Sequence, residues 1–303
     1  MFCSMILDGK PLPTVQSEVV VPWWSFTKTV LAAAALSLVR DGLIHLDEPV
    51  QEGPFTLRQL LTHQAGLADY SELKDYHSAV AAGQQPWSAA EMMARLDGNT
   101  LRYVPGAAWR YSNVGYMLVR QLIERVTDSP IEEALAQRVF APLSLTHVQF
   151  LSTADELAAI TTQDMASYHP GWVYHGLLVG PLSEAAKLLD QLLTGPLLPP
   201  SLLLEMQDAL VLGGAMPGRP WATPGYGLGL MIGDTNTGHR LVGHTGVGPG
   251  GIIAVYHSFS AGHAATCSVF SASGSEGEVE ETVLEELLTV VGNDQLSQDS
   301  IRQ

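Results

Sequence analysis

A serine and a lysine three positions apart, Ser25 and Lys28, are the residues of this chain best suited to covalent chemistry. They follow an apolar run at residues 19–21 and precede strong helix formers that continue from Thr29 to the first breaker, Gly42. Ser25 is therefore predicted at or near a helix N-terminus, with Lys28 one turn further on the same face. Because a desolvated lysine titrates below an exposed one, Lys28 could accept the proton of the serine hydroxyl.

A single Ser-x-x-Lys pair is weak evidence, because about one is expected by chance in a chain of this length. This chain has only four lysines, yet it contains a second such pair, Ser71 and Lys74, in a polar and acidic segment. We interpret that pair as the start of a surface helix whose lysine stays solvated. The apolar surroundings of Ser25 and Lys28 favour the first pair as the reactive one.

The composition indicates a globular protein and argues against nucleic acids and membranes as partners. With 303 residues, 46% of them hydrophobic, the chain can bury the core of one large domain or of two interleaved ones. Its formal charge of −16 repels nucleic acids and anionic lipid surfaces, so we predict neither as a partner. The two cysteines, Cys3 and Cys267, show no metal-ligand spacing, and no His-Glu-x-x-His occurs. We predict no disulfide, no metal and no cofactor.

No apolar run approaches the roughly 20 residues that span a bilayer. The N-terminus also lacks the basic region of a signal peptide. We therefore expect a cytoplasmic protein for the chain as given, or a periplasmic one if its N-terminus has been trimmed. The oligomeric state stays open.

The order of predicted elements is strands, a long helical middle, further strands and a closing helix. Helices are predicted at residues 56–61, 89–96, 113–126, 131–139, 183–193 and 278–291, and later strands at residues 226–232, 240–244, 252–259 and 264–271. The simplest assembly is a sheet domain built from both chain ends, residues 1–48 and 222–303, with a mainly helical insertion domain at residues 49–221.

Two further motifs could join the serine and the lysine. Tyr111-Ser112-Asn113 precedes a predicted helix that Asn113 could cap, which would leave the Tyr111 hydroxyl on a loop. His244-Thr245-Gly246 ends a β segment, where an edge strand could present backbone groups to a ligand. Each motif alone also fits a structural role, as a packed tyrosine, a helix cap or a hydrogen-bonded strand histidine.

In this order, the three motifs resemble those of the serine β-lactamase and penicillin-binding-protein superfamily. The nearest branch contains the class C β-lactamases, the D-alanyl-D-alanine carboxypeptidases and the family VIII esterases. The resemblance covers nearly the whole chain and includes residues 46–50, 57–67, 105–113, 226–229 and 243–251. It implies an α+β fold of the β-lactamase/transpeptidase type, with an antiparallel sheet flanked by helices, a helical domain and an active site in the cleft between them.

The resemblance also implies roles for individual residues. Ser25 would attack an acyl carbonyl to form an acyl-enzyme, Lys28 would accept its proton, and Tyr111 would relay protons to the leaving group or from the deacylating water. The oxyanion hole would use the backbone N–H groups of Ser25 and Val247. The substrate-binding residues would be Asn113, His244, Thr245, Gly246 and Val247. His63 resembles part of a structural motif, so we predict buried support for it.

We predict a serine hydrolase acting on small esters, or on amides and D-amino-acid peptides. A true β-lactamase or D-alanyl-D-alanine carboxypeptidase is the alternative, but many β-lactamases carry a lysine where His244 stands, and a neutral histidine holds a carboxylate less well. An acylatable penicillin-binding or sensor module without turnover is an alternative from another class. Some loop aromatics are predicted to form an apolar acyl pocket, the candidates being Trp172, Tyr174, His175, Trp221 and Tyr226.

The loop at residues 246–251 also matches the dinucleotide pattern Gly-x-Gly-x-x-Gly. It leads into the apolar strand segment 252–256, whereas a dinucleotide site requires a helix there. No Gly-x-Ser-x-Gly occurs, which argues against a nucleophile elbow.

Overall fold

The computed structural model describes residues 1–14, 16–160 and 168–301, and their strands form two antiparallel sheets. The strands are β1 (Phe2–Leu7), β2 (Lys10–Leu12), β3 (Val20–Pro22), β4 (Gln149–Leu151), β5 (Leu177–Pro181), β6 (Leu210–Val211), β7 (Trp221–Tyr226), β8 (Met231–Thr235), β9 (Arg240–Gly248), β10 (Gly251–Ser260) and β11 (His263–Ser271). The large sheet has the order β2-β1-β11-β10-β9-β8-β7-β6, and the small one has the order β3-β5-β4.

The helices lie mostly between the two ends of the chain. They are α1 (Thr27–Arg40), α2 (Leu57–Leu61), α3 (Lys74–Ala81), α4 (Ala89–Leu96), α5 (Asn113–Thr127), α6 (Ile131–Leu135), α7 (Ala154–Ile160), α8 (Leu182–Thr194), α9 (Pro200–Gln207) and α10 (Glu276–Ile301). A π-helical turn at Ala136–Phe140 continues α6, so the helix predicted at residues 131–139 is present with a change of hydrogen bonding inside it.

The large sheet joins both ends of the chain. Strand β1 pairs with β11 in a register that places Phe2 opposite Phe270. Strand β10 is apolar from Ile252 to Val255, where both of its faces are covered. Ile253 and Val255 belong to the core on the side of α1, whereas Ala254 belongs to a second core beneath α10.

Helix α1 is the centre of the main core. Its residues from Thr27 to Leu38 are all buried, including a run of four alanines at residues 32–35. A helix that is apolar on every side is stable only where other elements surround it, and α5 and α6 pack against α1. This packing removes the first turn of α1, which carries Lys28, from solvent.

Several expectations need correction. The strand predicted at residues 226–232 is interrupted at residues 227–230 by a turn between β7 and β8, where Gly229 adopts a φ of +77°. The small sheet was not predicted. The division into domains stays a prediction, and its boundaries do not follow the packing everywhere, because α8, from inside the predicted insertion, packs against β1, β10 and β11.

The two cysteines meet although 264 positions separate them. Pairing of β1 with β11 places the Sγ atoms of Cys3 and Cys267 3.6 Å apart, with no disulfide between them. Sequence distance was therefore a poor guide to contact, since it takes no account of a sheet that joins the chain ends. Among the described residues, no helix is both long enough and apolar enough to cross a membrane.

Candidate active site

Ser25 lies in a 3₁₀ turn, Trp24–Phe26, that runs directly into α1. Trp24 has a φ of +43°, a conformation that costs a non-glycine residue about 1–2 kcal/mol. Packing offsets this cost, because the Trp24 side chain lies against Gly248, where an added Cβ would be 2.5 Å from the indole ring. The strained turn directs the half-buried Ser25 into a cleft beside β9.

Lys28 is fully buried, and its ammonium nitrogen has three polar neighbours. Nζ lies 3.1 Å from Ser25 Oγ, 2.7 Å from Asn113 Oδ1 and 3.2 Å from His175 Nε2. Burial lowers the pKa of Lys28 to about 7, against a smaller upward effect of the Asp69 carboxylate. A neutral amine can donate two hydrogen bonds, to Asn113 and His175, and keep its lone pair for the proton of Ser25.

Tyr111 completes the contacts of the serine. Its hydroxyl donates to Ser25 Oγ over 3.0 Å. Burial raises the pKa of Tyr111 well above its ordinary value, so the phenol keeps its proton at neutral pH. The ring stacks on His63 with centroids 4.2 Å apart, and Lys28 Nζ lies 5.0 Å from the centre of the Tyr111 ring.

His63 lies under this ring as buried support. Its Nδ1 accepts a hydrogen bond from the backbone N–H of Ser112 over 3.1 Å, and burial holds its pKa well below the ordinary value. His63 also adopts a φ of +60°, at the end of the α2 segment. The histidine therefore ties the Tyr111 loop to α2.

Asn113 is held by a carboxylate that the sequence analysis missed. Ser112, not Asn113, caps α5, since its Oγ accepts from the backbone N–H of Gly115. The Asn113 side chain is thereby available for Lys28. Its amide nitrogen donates to both oxygens of Asp69, at 3.2 and 3.1 Å, which fixes the amide with Oδ1 toward the lysine. Asp69 is 4% exposed and lies just beyond the segment 57–67 that carries the resemblance.

His175 is the second residue whose contact was missed. Its Nε2 lies 3.2 Å from Lys28 Nζ, and its Nδ1 has no hydrogen-bond partner among the described residues. Burial holds the pKa of His175 well below its ordinary value, so the ring stays neutral beside the amine. The small sheet, which was not predicted, helps to place this residue, because His175 lies two residues before the start of β5.

The predicted substrate-binding strand is β9, and its residues alternate in direction. Thr245 and Val247 line the cleft, whereas His244 is fully buried and is not part of the cleft wall. His244 Nε2 lies 2.9 Å from the Tyr226 hydroxyl, and burial lowers its pKa to about 3. Its predicted role in substrate binding stays a prediction, and burial leaves the side chain paired with Tyr226 in this structure.

The backbone of β9 approaches the serine closely. A Cβ on Gly246 would lie 2.7 Å from the backbone nitrogen of Ser25, so only glycine allows this approach. Strand β8 pairs with β9 only as far as Gly243, which leaves the end of β9 beside the cleft unpaired on that side. These positions suit an oxyanion hole formed by the N–H groups of Ser25 and Val247.

A buried acid behind β9 was not expected either. Glu280 of α10 is 0% exposed and accepts a hydrogen bond from the Thr245 hydroxyl over 2.5 Å. It also accepts from Trp221 Nε1 over 3.0 Å and pairs with Arg219. The sequence held a signal for this residue, because Glu280 shares the apolar face of α10 with Val283 and Leu284.

The cleft in front of Ser25 has a volume of about 550 Å³. Among the described residues that line it are aromatic side chains and two carboxylates, Asp69 and Glu276, but no lysine or arginine. No group of three or more metal-ligating side chains occurs in the described part of the chain. Of the loop aromatics, His175 borders this cleft, Trp221 and Tyr226 line a separate cavity, and Trp172 and Tyr174 border neither.

Comparison with known proteins finds relatives that are hydrolases by name. A D-aminopeptidase from Cereibacter sphaeroides is 26% identical over 246 residues, which are 74% of this chain and 46% of that protein. Esterase EstB from Burkholderia gladioli is 29% identical over 161 residues, 46% of this chain and 41% of the esterase. The chain thus spans about half the length of the curated relatives it matches.

Among solved structures, a D-amino acid amidase from Ochrobactrum anthropi SV3 superposes with a TM-score of 0.77 at 24% identity, covering 96% of this chain and 94% of the amidase. This likeness confirms the predicted α+β fold of the β-lactamase/transpeptidase type. The family model for Beta-lactamase matches residues 6–266. The chain therefore belongs to the Beta-lactamase family.

Proposed function

We propose that this protein is a serine hydrolase that forms an acyl-enzyme on Ser25 and hydrolyses small esters and amides, including those of D-amino acids. The proposal rests on the contact between Lys28 Nζ and Ser25 Oγ, which are 3.1 Å apart, and on the complete burial of Lys28. With a pKa of about 7, this buried amine is neutral in about half of the molecules at neutral pH, and the neutral form can accept a proton. Curated relatives named as D-aminopeptidases and esterases support this reaction class.

Acylation follows from the hydrogen bonds around the serine. The Ser25 proton passes to Lys28 as Oγ bonds to the acyl carbon, and the oxyanion is held by the N–H groups of Ser25 and Val247. The Tyr111 hydroxyl gives its proton to the leaving oxygen or nitrogen as that bond breaks, and Lys28 returns a proton to the Tyr111 oxygen. Water then reverses the sequence and releases the acid.

The charges of the cleft favour substrates with an amine over substrates with a carboxylate. β-Lactams and peptides with a free C-terminus carry a carboxylate that needs a cation, and no lysine or arginine lines the cleft among its described residues. His244 is neutral and buried, so it does not supply that cation. Asp69 instead gives the cleft negative charge, which attracts an ammonium group, whereas Glu276, the other carboxylate of the cleft, pairs with Arg219.

Turnover of a matched substrate panel tests the proposal. We expect p-nitrophenyl acetate and the p-nitroanilides of D- and L-alanine to be hydrolysed faster than a chromogenic cephalosporin, and Ser25→Ala to abolish all turnover. Activity retained in Ser25→Ala would exclude Ser25 as the nucleophile. A single stoichiometric burst without steady-state turnover would favour the acylatable binding or sensor module instead.

A further inference from the structure

A second cavity adjoins the catalytic tyrosine on the side away from most of the main cleft. It has a volume of about 200 Å³, and Tyr111 and Met231 are the two residues that line both this cavity and the main cleft. Its other walls are mostly apolar, with Trp109, Trp221 and Tyr226 among them. We refer to it as the side cavity.

The charged groups at the side cavity are already paired within the protein, whereas Trp109 Nε1 has no hydrogen-bond partner among the described residues. The Arg219 guanidinium binds the buried Glu280 carboxylate, and Glu276 lies 3.5 Å from the same guanidinium. Trp221 Nε1 donates to Glu280. The cavity therefore offers an occupant apolar and aromatic surface, not a charge. An apolar cavity of about 150 Å³ is enough to hold benzene, so a cavity of about 200 Å³ has room for one aromatic ring.

The position of Tyr111 decides which half of a substrate reaches the side cavity. The Tyr111 hydroxyl lies 3.0 Å from Ser25 Oγ and supplies the proton of the leaving atom, so that atom must lie against Tyr111. A group attached to it continues past the tyrosine. The acyl group extends the other way, toward Asp69 and Val80, which line the main cleft but not the side cavity.

We propose that the side cavity, formed around Tyr111 by Trp109, Leu212, Trp221 and Tyr226, binds an aromatic or compact apolar leaving group of the ester or amide. This inference rests on the proposed function and adds a substrate class to it. It also reassigns Trp221 and Tyr226, for which the sequence predicted an acyl pocket, to the leaving-group side.

Two isomeric esters separate the two sides of the reaction. Benzyl acetate carries its ring on the leaving group, whereas methyl phenylacetate carries the same ring on the acyl group. Methyl acetate, which has no ring, is the reference for both. The readout for each aromatic ester is its kcat/KM divided by the kcat/KM of methyl acetate, with both values measured on the same variant. Removing a ring from water is expected to raise kcat/KM roughly ten- to a hundredfold where a pocket exists for it.

Leu212→Trp and Val80→Trp are the matched variants, because each adds bulk to a half-buried position on one side only. Leu212→Trp is expected to lower the benzyl acetate ratio about tenfold or more and to spare the methyl phenylacetate ratio, and Val80→Trp to do the reverse. If Leu212→Trp lowers only the methyl phenylacetate ratio, or neither ratio, the assignment of the side cavity is wrong.

Direct binding keeps this test independent of turnover. Benzyl alcohol is added to Ser25→Ala protein, with and without Leu212→Trp, and observed by saturation-transfer NMR. Signal that is lost with Leu212→Trp supports the subsite even if no ester is turned over, and in that case only the proposed function fails. Signal of equal strength in both proteins overturns the subsite.

Discussion

The burial of Lys28 makes the pH dependence of acylation a quantitative test of the site. A lysine with its ordinary pKa is neutral in about 0.03% of molecules at pH 7, whereas one with a pKa of about 7 is neutral in about half. Burial thus supplies about a thousandfold more base at neutral pH. We expect kcat/KM to rise about tenfold per pH unit up to about pH 7 and then to level off.

Asp69→Asn is expected to shift the rising, acidic limb of this pH profile to lower pH. The Asp69 carboxylate raises the pKa of Lys28, so its removal lowers that pKa, and the acid limb moves to lower pH. The plateau also falls, because the Asn113 amide loses the carboxylate that orients it. The assay is kcat/KM for p-nitrophenyl acetate from about pH 5 to 9, fitted for the limb and the plateau separately.

His77→Gln is the control for this experiment. His77 lines the same cleft, and its Nε2 lies 2.6 Å from the Ser71 carbonyl oxygen, away from Lys28. The acid limb is expected at the same pH in this variant as in the unaltered protein. A limb that moves with His77→Gln, or one that stays in place with Asp69→Asn, would refute the assignment of Lys28 as the titrating base.

Three further substitutions test other parts of the site. Tyr111→Phe removes the proton donor and is expected to lower kcat about 10²–10⁴-fold with an unchanged circular dichroism spectrum; a loss below tenfold would contradict this role. Gly246→Ala places a Cβ 2.7 Å from the Ser25 nitrogen and is expected to lower kcat about a hundredfold, whereas Gly214→Ala, with nothing within 4 Å, leaves kcat unchanged. Glu280→Gln leaves Arg219 without its buried partner and is expected to destabilise the fold by about 3–5 kcal/mol in urea unfolding, and a change below 1 kcal/mol would show that the pair is dispensable.

The part of the site formed by Ser25 and Lys28 could be predicted because it depends only on residue spacing along one helix. Ser25 and Lys28 are one turn apart, and their contact follows from helix geometry once α1 forms. The apolar residues that follow them also predicted the burial of the lysine. Strands β10 and β11 were predicted within two residues at each end for a similar reason, since their apolar runs are long and bounded by turn residues.

The rest of the site depends on contacts between distant segments, which periodicity does not reveal. His175 reaches Lys28 through a three-stranded sheet whose short strands have no clear pattern, and Asp69 reaches Asn113 across a loop. The turn at residues 227–230 was mistaken for a strand because Leu228 and Leu230 are buried there without strand pairing. The burial of His244 and its contact with the Tyr226 hydroxyl also depend on the fold, because Tyr226 belongs to another strand.

Identification of the acylated residue tests the central claim most directly. The protein is incubated with p-nitrophenyl acetate, quenched in acid, and examined by intact-mass spectrometry and peptide mapping, with Ser25→Ala and Lys28→Met variants in parallel. We expect one acetyl group, located on Ser25, in the unaltered protein, none with Ser25→Ala, and strongly slowed labelling with Lys28→Met. An acetyl group on any other residue, or labelling of the Lys28→Met variant at the unaltered rate, would contradict the account.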